Sequence, residues 1–342
     1  MLKPLGRGLL AMVLLAAGAL SARAQRPAEF YKGKTITLFV GSTAGGGYDT
    51  YARLLSRYFG ANIPGNPSIV PQNMSGAGSN RAAGFIYGVA PKDGTAIGIF
   101  HEAQMMNQLT RVEGVQFDLR KFNWLGSSYV DPNACMIRRD APVTTFKEMV
   151  GRAQPVAVGG TGPGSNTYDA PRVLAAATGA NLKAVAGYPT TNDARVGVER
   201  GELQGMCLGW ESVKSASKQW LDDKYAHVVV QNGLTKHREL PDVPLAADFA
   251  KDDTARAMLK LVDAPAAMSK PFAMPPGVDA TLVAVMRFAL LSTFADPKFQ
   301  EEATTMNLEF QPKDAAGIQQ VLNDVLATPQ PIADQYRTII AP

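Results

Sequence analysis

The 342-residue chain is poor in the residues that most chemistry needs: it has two cysteines, three histidines and three tryptophans, and 34 Lys and Arg against 30 Asp and Glu leave little charge of either sign. Each scarcity argues against a class of function. With only Cys135 and Cys207, and no His or third Cys at ligand spacing, the sequence offers no metal site. The near balance of charge gives no reason to expect nucleic acid or an anionic membrane as partner. No complete P-loop, G-x-G-x-x-G fingerprint or G-x-S-x-G elbow is present; Ser42 and Ser165 lie outside any such elbow, and no His stands as a paired base. The chain therefore reads as a non-enzyme with no cofactor.

Long apolar runs are also missing. The one at residues 8–20 is about 13 residues, short of the ~20 that cross a bilayer. Lys3 and Arg7 precede it and Ala22-Arg23-Ala24 follows in the A-x-A form, so residues 1–24 read as a cleaved secretory leader and the mature chain as periplasmic. Loss of Lys3, Arg7 and Arg23 brings basic and acidic side chains closer still to balance.

Glycine, by contrast, is concentrated where it matters. The strand-like segment 35–40 runs through Ser42, Thr43, Ala44, Gly45, Gly46 and Gly47 into a helical pattern in which Tyr48, Tyr51, Leu54, Leu55, Tyr58 and Phe59 share one face. Almost no side chains crowd the turn, so backbone N–H groups at the helix start can approach an anion. Two further turns repeat the design. One is Gly76, Ala77, Gly78, Ser79 and Asn80, after a strand at 68–72; the other is Thr161, Gly162, Gly164, Ser165 and Asn166, after a strand at 155–159. One such turn is a common packing device, whereas three favour a cleft that grips an anion from both sides.

Strands alternate with helical patterns, which predicts mainly parallel α/β sheets. Further strands are expected at 95–100, 182–186, 203–208 and 227–231. Helices are expected at 80–89, 168–178, 193–200 and 212–221, and in the tail at 279–294, 298–306 and 315–326. About 318 mature residues suggest two domains. Proline-rich joints at Asp131-Pro132 and at 240–244 place the crossings, giving one lobe of 25–128 plus 246–342 and a second of 129–245, to within about ten residues. Cys135 and Cys207 lie in strand-like runs. They are read either as a disulfide, worth about 4 kcal/mol for a loop of about 70 residues, or as two buried thiols.

The pattern A-G-G-G-x-D-x-x-A-R at residues 44–53, V-x-x-N-x-x-G-A-G at 70–78 and P-K-D-G-T at 91–95 resembles the Bug family, the periplasmic solute-binding proteins of tripartite tricarboxylate transporters. The similarity continues through Gly201-Glu202-Leu203, Leu240-Pro241-Asp242-Val243-Pro244 and Ala295-Asp296-Pro297, nearly the whole mature chain. It implies a two-lobed, hinged periplasmic-binding-protein (Venus-flytrap, type II) α/β fold. It also implies a monomer that delivers a small carboxylate to integral membrane permease subunits. Carried onto matching positions, the ligand contacts fall at Thr43 to Asp49 and Gly76 to Asn80 in the first lobe, and at Thr161, Gly162, Gly164, Ser165 and Asn166 in the second. The chain departs from the family pattern at Gly41-Ser42, at Tyr168 and at Tyr188-Pro189-Thr190, which makes Ser42, Tyr48, Tyr168 and Tyr188 the expected determinants of ligand choice.

Asp49 either orients a ligand or complements its helix dipole, and Arg53, one turn on, is positioned to pair with it. His101 and Glu102, and also Trp210 and Glu211, follow strands at their C-terminal ends, where open α/β sheets bind ligands. An extracytoplasmic sensor subunit uses the same architecture, and a secreted hydrolase acting through Ser42 or Ser165 is the remaining alternative.

Overall fold

The computed structural model describes residues 27–45, 47–162, 165–306, 308 and 310–341. The expected leader at 1–24, Gly46 and Gly164 lie outside them. The chain divides into two units: 27–101, 121–126 and 270–310 form unit 1 (306 and 308 being the described residues around 307), and 102–120, 127–269 and 311–341 form unit 2.

Unit 1 is organised by β1 (Thr35–Val40), α1 (Gly47–Tyr58), β2 (Ser68–Asn73), α2 (Asn80–Gly88) and β3 (Ala96–Ile99). β1 pairs in parallel with both β2 and β3. Pro71 is tolerated in β2 because that strand is the sheet edge. On α1, Tyr51, Ala52, Leu54 and Leu55 are buried, the face that the sequence periodicity marks.

Unit 2 takes up α3 (Gln104–Leu109), and β4 (Asn123–Tyr129) runs from one unit into the other. There follow β5 (Asn133–Arg138), β6 (Val156–Gly159), α4 (Asn166–Thr178), β7 (Leu182–Val185), α5 (Thr191–Glu199), β8 (Gly205–Gly209), α6 (Trp210–Ala216) and β9 (Ala226–Asn232). The sheet order is β7-β6-β8-β5-β9. The β6 pairings are parallel and the β5 pairings antiparallel, so the sheet is mixed rather than all parallel. Cys135 and Cys207 stand opposite one another in the β5–β8 register and form a disulfide, both nearly without exposure.

The remaining elements are α7 (Asp253–Asp263), β10 (Ser269–Met274), α8 (Ala280–Ala295), α9 (Pro297–Thr305), β11 (Lys313–Asp314), α10 (Ala315–Leu326) and α11 (Gln330–Ile340). The first sheet has the order β11-β4-β10-β3-β1-β2, with β10 antiparallel to β3. α8 and α9 complete unit 1: Asn62 Nδ2 donates to Thr293 Oγ1 at 3.1 Å and Tyr58 Oη to Glu302 at 2.5 Å. The C-terminal part is not a single block, however. α7 packs on α4 and α11 packs on both, so 246–269 and 311–341, expected with the first lobe, group with unit 2. Among the described residues no single helix is long and apolar enough to cross a membrane.

Candidate functional site: the glycine-rich loops

In unit 1 the loop between β1 and α1 is shaped by hydrogen bonds from its flanks. Asp49, with a side chain only 2% exposed, accepts from the Gly45 N–H at 2.8 Å, from Arg53 Nε at 2.8 Å and from Asn73 Nδ2 at 2.9 Å. The Arg53 bond, reinforced by the Gly45 and Asn73 bonds, holds the Asp49 carboxyl at about 2, well below the usual carboxylate range. Asp49 thus draws the loop back onto its own helix. Asn73, at the end of β2, also donates to Ser42 O at 3.0 Å.

The second small-residue turn joins this loop directly. Ser79 Oγ donates to Gly41 O at 2.7 Å, and a Cβ on Gly41 would stand 2.7 Å from that hydroxyl and 3.1 Å from the Phe100 Cβ. Only glycine fits there. From Gly76 to Ser79 every φ is positive, including Ala77 at 46° and Ser79 at 78°, a conformation that side chains adopt only under strain. Unit 1 therefore brings together the loops expected to act together, with Thr43, Ala44, Gly45 and Gly47 exposed at the mouth.

Beside this mouth lies a residue the sequence reading missed. Lys270, on β10, is 6% exposed and has φ 53°. Its Nζ lies 4.4 Å from the Tyr51 ring centroid and 5.5 Å from that of Tyr48, and the His101 ring is 5.4 Å from Tyr48 on the same unit. The available signal was one Lys in an otherwise uncharged stretch from Ala264 to Val278.

In unit 2 the turn after β6 is tied to α4 by hydroxyls. The Thr161 N–H donates to Thr167 Oγ1 at 3.2 Å and Ser165 Oγ to Gly162 O at 2.7 Å. The amides of Asn166 and Asn133 pair with each other, which fixes the α4 start to β5. Tyr168 has the Arg172 guanidinium over its ring at 5.0 Å. Tyr188 lays its ring against Gly197 and donates to Glu202 at 3.1 Å. Trp210 Nε1 donates to Glu239 at 2.6 Å, and Glu211 receives Tyr129 Oη at 2.6 Å while its N–H donates to Asp131 at 3.0 Å. Glu102 accepts from Ser269 Oγ at 3.5 Å. Among the described residues no group of three or more His, Cys, Asp or Glu is arranged to hold a metal.

Two α/β units with mixed sheets, each with glycine turns leading from strand to helix, make up the two-lobed fold of periplasmic binding proteins. Within that class the chain is similar to a TctC solute-binding protein from Polaromonas (TM-score 0.70, 18% identity, 89% of this chain and 99% of that one). It is also similar to the periplasmic binding protein BugD (TM-score 0.60, 19% identity, 90% and 98%). A third likeness is to Rpa4515 of R. palustris, solved with adipate (TM-score 0.61, 16% identity, 90% and 97%). The fold is thus that of the TctC and Bug solute-binding proteins, as the sequence resemblance implies. No family model and no curated protein matches the sequence.

Proposed function

We propose that this chain is an extracytoplasmic solute-binding protein of the TctC/Bug family that captures a small carboxylate in the periplasm. It passes that ligand to the membrane permease subunits of a tripartite tricarboxylate transporter, acting as a monomer and catalysing no reaction. The observation that carries the reading is the β1–α1 loop. Its small residues Thr43, Ala44, Gly45 and Gly47 are exposed at the start of a 12-residue helix, while Asp49, the acid in that first turn, is already engaged by Arg53, Asn73 and Gly45. The adipate in a protein of the same fold supports a carboxylate as the ligand class.

The proposed ligand residues in unit 1 are Ser42 to Asp49 and Gly76 to Asn80, with His101 beside Tyr48. In unit 2 they are Thr161, Gly162, Gly164, Ser165, Asn166, Tyr168 and Tyr188, with Glu102, Trp210 and Glu211 in secondary roles. Because backbone amides would provide the grip, truncating Ser42 or Thr43 to Ala is expected to weaken binding by no more than about tenfold. Isothermal calorimetry against mono- and dicarboxylates, on protein unfolded and refolded to strip copurified ligand, is the test. Saturable binding of at least one acid is expected, and silence across the panel rejects the reading.

A further inference from the structure

We propose that unit 2 carries a further binding site, between α5, the end of β8 and the C-terminal end of α6, that takes a short-chain carboxylate. Arg195 receives the carboxylate, and Met206 and Leu208 receive the apolar tail.

The first support is a cavity. It measures about 250 Å³ and is lined by Asn192 and Arg195 of α5, by Met206 and Leu208 of β8, and by Ser212 and Ser217 at α6 and the residue after it. Pockets that enclose drug-sized ligands run to roughly 300–1,000 Å³, so this one suits a molecule of only a few carbons. None of its lining residues belongs to a glycine turn.

The second support is the chemistry of the walls. Met206 and Leu208 lie two residues apart on β8 and so share a face of the sheet, where both are buried with Ala194 and Val198 in one apolar cluster. Arg195 borders this floor. Its guanidinium donates through Nη1 to Ala216 O and through Nη2 to Asn192 Oδ1, which holds the fork in place and leaves other N–H groups to offer. Among the described residues no carboxylate pairs with it. Asp193 accepts from the Thr190 N–H at 3.0 Å and from its hydroxyl at 2.7 Å, and Glu199, one turn on, accepts from Trp220 Nε1 at 2.9 Å.

The third support is Ser217. Only 2% exposed, it has a buried hydroxyl with no hydrogen-bond partner among the described residues. A carboxylate in the cavity would accept from that hydroxyl and from Arg195 together. Capping of the α6 C-terminus accounts for the bond from Arg195 to Ala216 O, but for neither the cavity nor the serine. A fixed cation, a donor without a partner and an apolar floor around one small space describe the two ends of a short fatty acid.

The test is fluorine NMR with trifluorobutyrate and its amide, titrated against the purified protein and against three variants, with thermal melts alongside. Arg195→Gln removes the charge, Arg195→Lys keeps the charge without the fork, and Ser212→Phe fills the cavity from its exposed rim.

The wild type is expected to bind the acid saturably and at least about tenfold more tightly than the amide. In Arg195→Gln the affinity for the acid should fall about 10–100-fold, to the level of the amide, with Arg195→Lys between the two. Ser212→Phe should abolish the bound signal at an unchanged melting temperature, and it decides the matter alone if Arg195→Gln does not fold. A bound signal that survives Ser212→Phe at wild-type strength lies elsewhere in the molecule and overturns the proposal, as does the absence of saturable binding. Equal losses for acid and amide in Arg195→Gln also overturn it, because they mark a purely structural arginine. Each of these outcomes leaves carboxylate capture at the glycine turns standing, since that reading has its own calorimetric test.

Discussion

Arg53 donates its Nε to Asp49 Oδ2 at 2.8 Å across one turn of α1, and the same carboxylate oxygen receives the Gly45 N–H. A single buried acid therefore couples the helix to the loop that precedes it. Its carboxyl is held at about 2, below the ordinary value of 3.8. The folded-state pKa is depressed, so the stabilisation is fully present above about pH 4 and is lost as pH falls through about 2. Because Arg53 is half exposed, the contribution is about 1–2 kcal/mol rather than the full Coulombic value. Asp49→Asn is expected to lower stability by that amount at pH 7 and by only a small part of it near pH 2, which denaturant melts at the two pH values would measure.

The disulfide between Cys135 and Cys207 ties β5 to β8 across a separation of 72 residues. Closing a loop of that length stabilises the fold by about 4 kcal/mol in the chain-entropy account. Cys135→Ala with Cys207→Ala is expected to lower the denaturation midpoint of unit 2 accordingly, and reductant should lower the wild-type midpoint toward that of the double variant. An unshifted midpoint in urea, with the free thiols verified, would refute the assignment.

Gly41 touches the Ser79 side chain so closely that a methyl group has no room. Gly41→Ala is expected to cost about 1–3 kcal/mol and to distort the loop mouth. Adding Ser79→Gly removes the obstructing hydroxyl and also suits the positive φ at that position, so the double variant should recover part of the loss. Melts of both variants, with ligand titrations alongside, check the expectation.

Much of this architecture is legible in the residues. The strand at 35–40 and the buried Tyr51–Leu54–Leu55 face follow from periodicity, as do the α4, α8 and α10 helices to within a few residues. What escaped has identifiable causes. β10 contains Lys270 and Pro271, which read against a strand, and its pairing with β3 and β4 in space sustains it. β4 was hidden because its Asn, Gly and Ser residues weaken the alternation, though the fold buries most of them.

The glycine turns announce themselves locally, and the capping reading of Asp49 fits its bonds to Gly45 and Arg53. The positions of Asn73 and Lys270 beside the β1–α1 loop depend on strands distant in the chain, and no local pattern records them. The allocation of 246–269 and 311–341 was hidden for the same reason: helices α7 and α11 are amphipathic whichever neighbour they cover, and only packing on α4 decides.

The position of β10 also sets the order in which the molecule can be completed. It lies between β3 (Ala96–Ile99) and β4 (Asn123–Tyr129) in the first sheet, yet it begins only at Ser269. A growing chain that has passed β4 still lacks the strand that joins its two halves, and must carry an open sheet edge until residue 274 has emerged. The sheet of unit 1 therefore cannot be completed from its N-terminal end alone, because it depends on a strand encoded late.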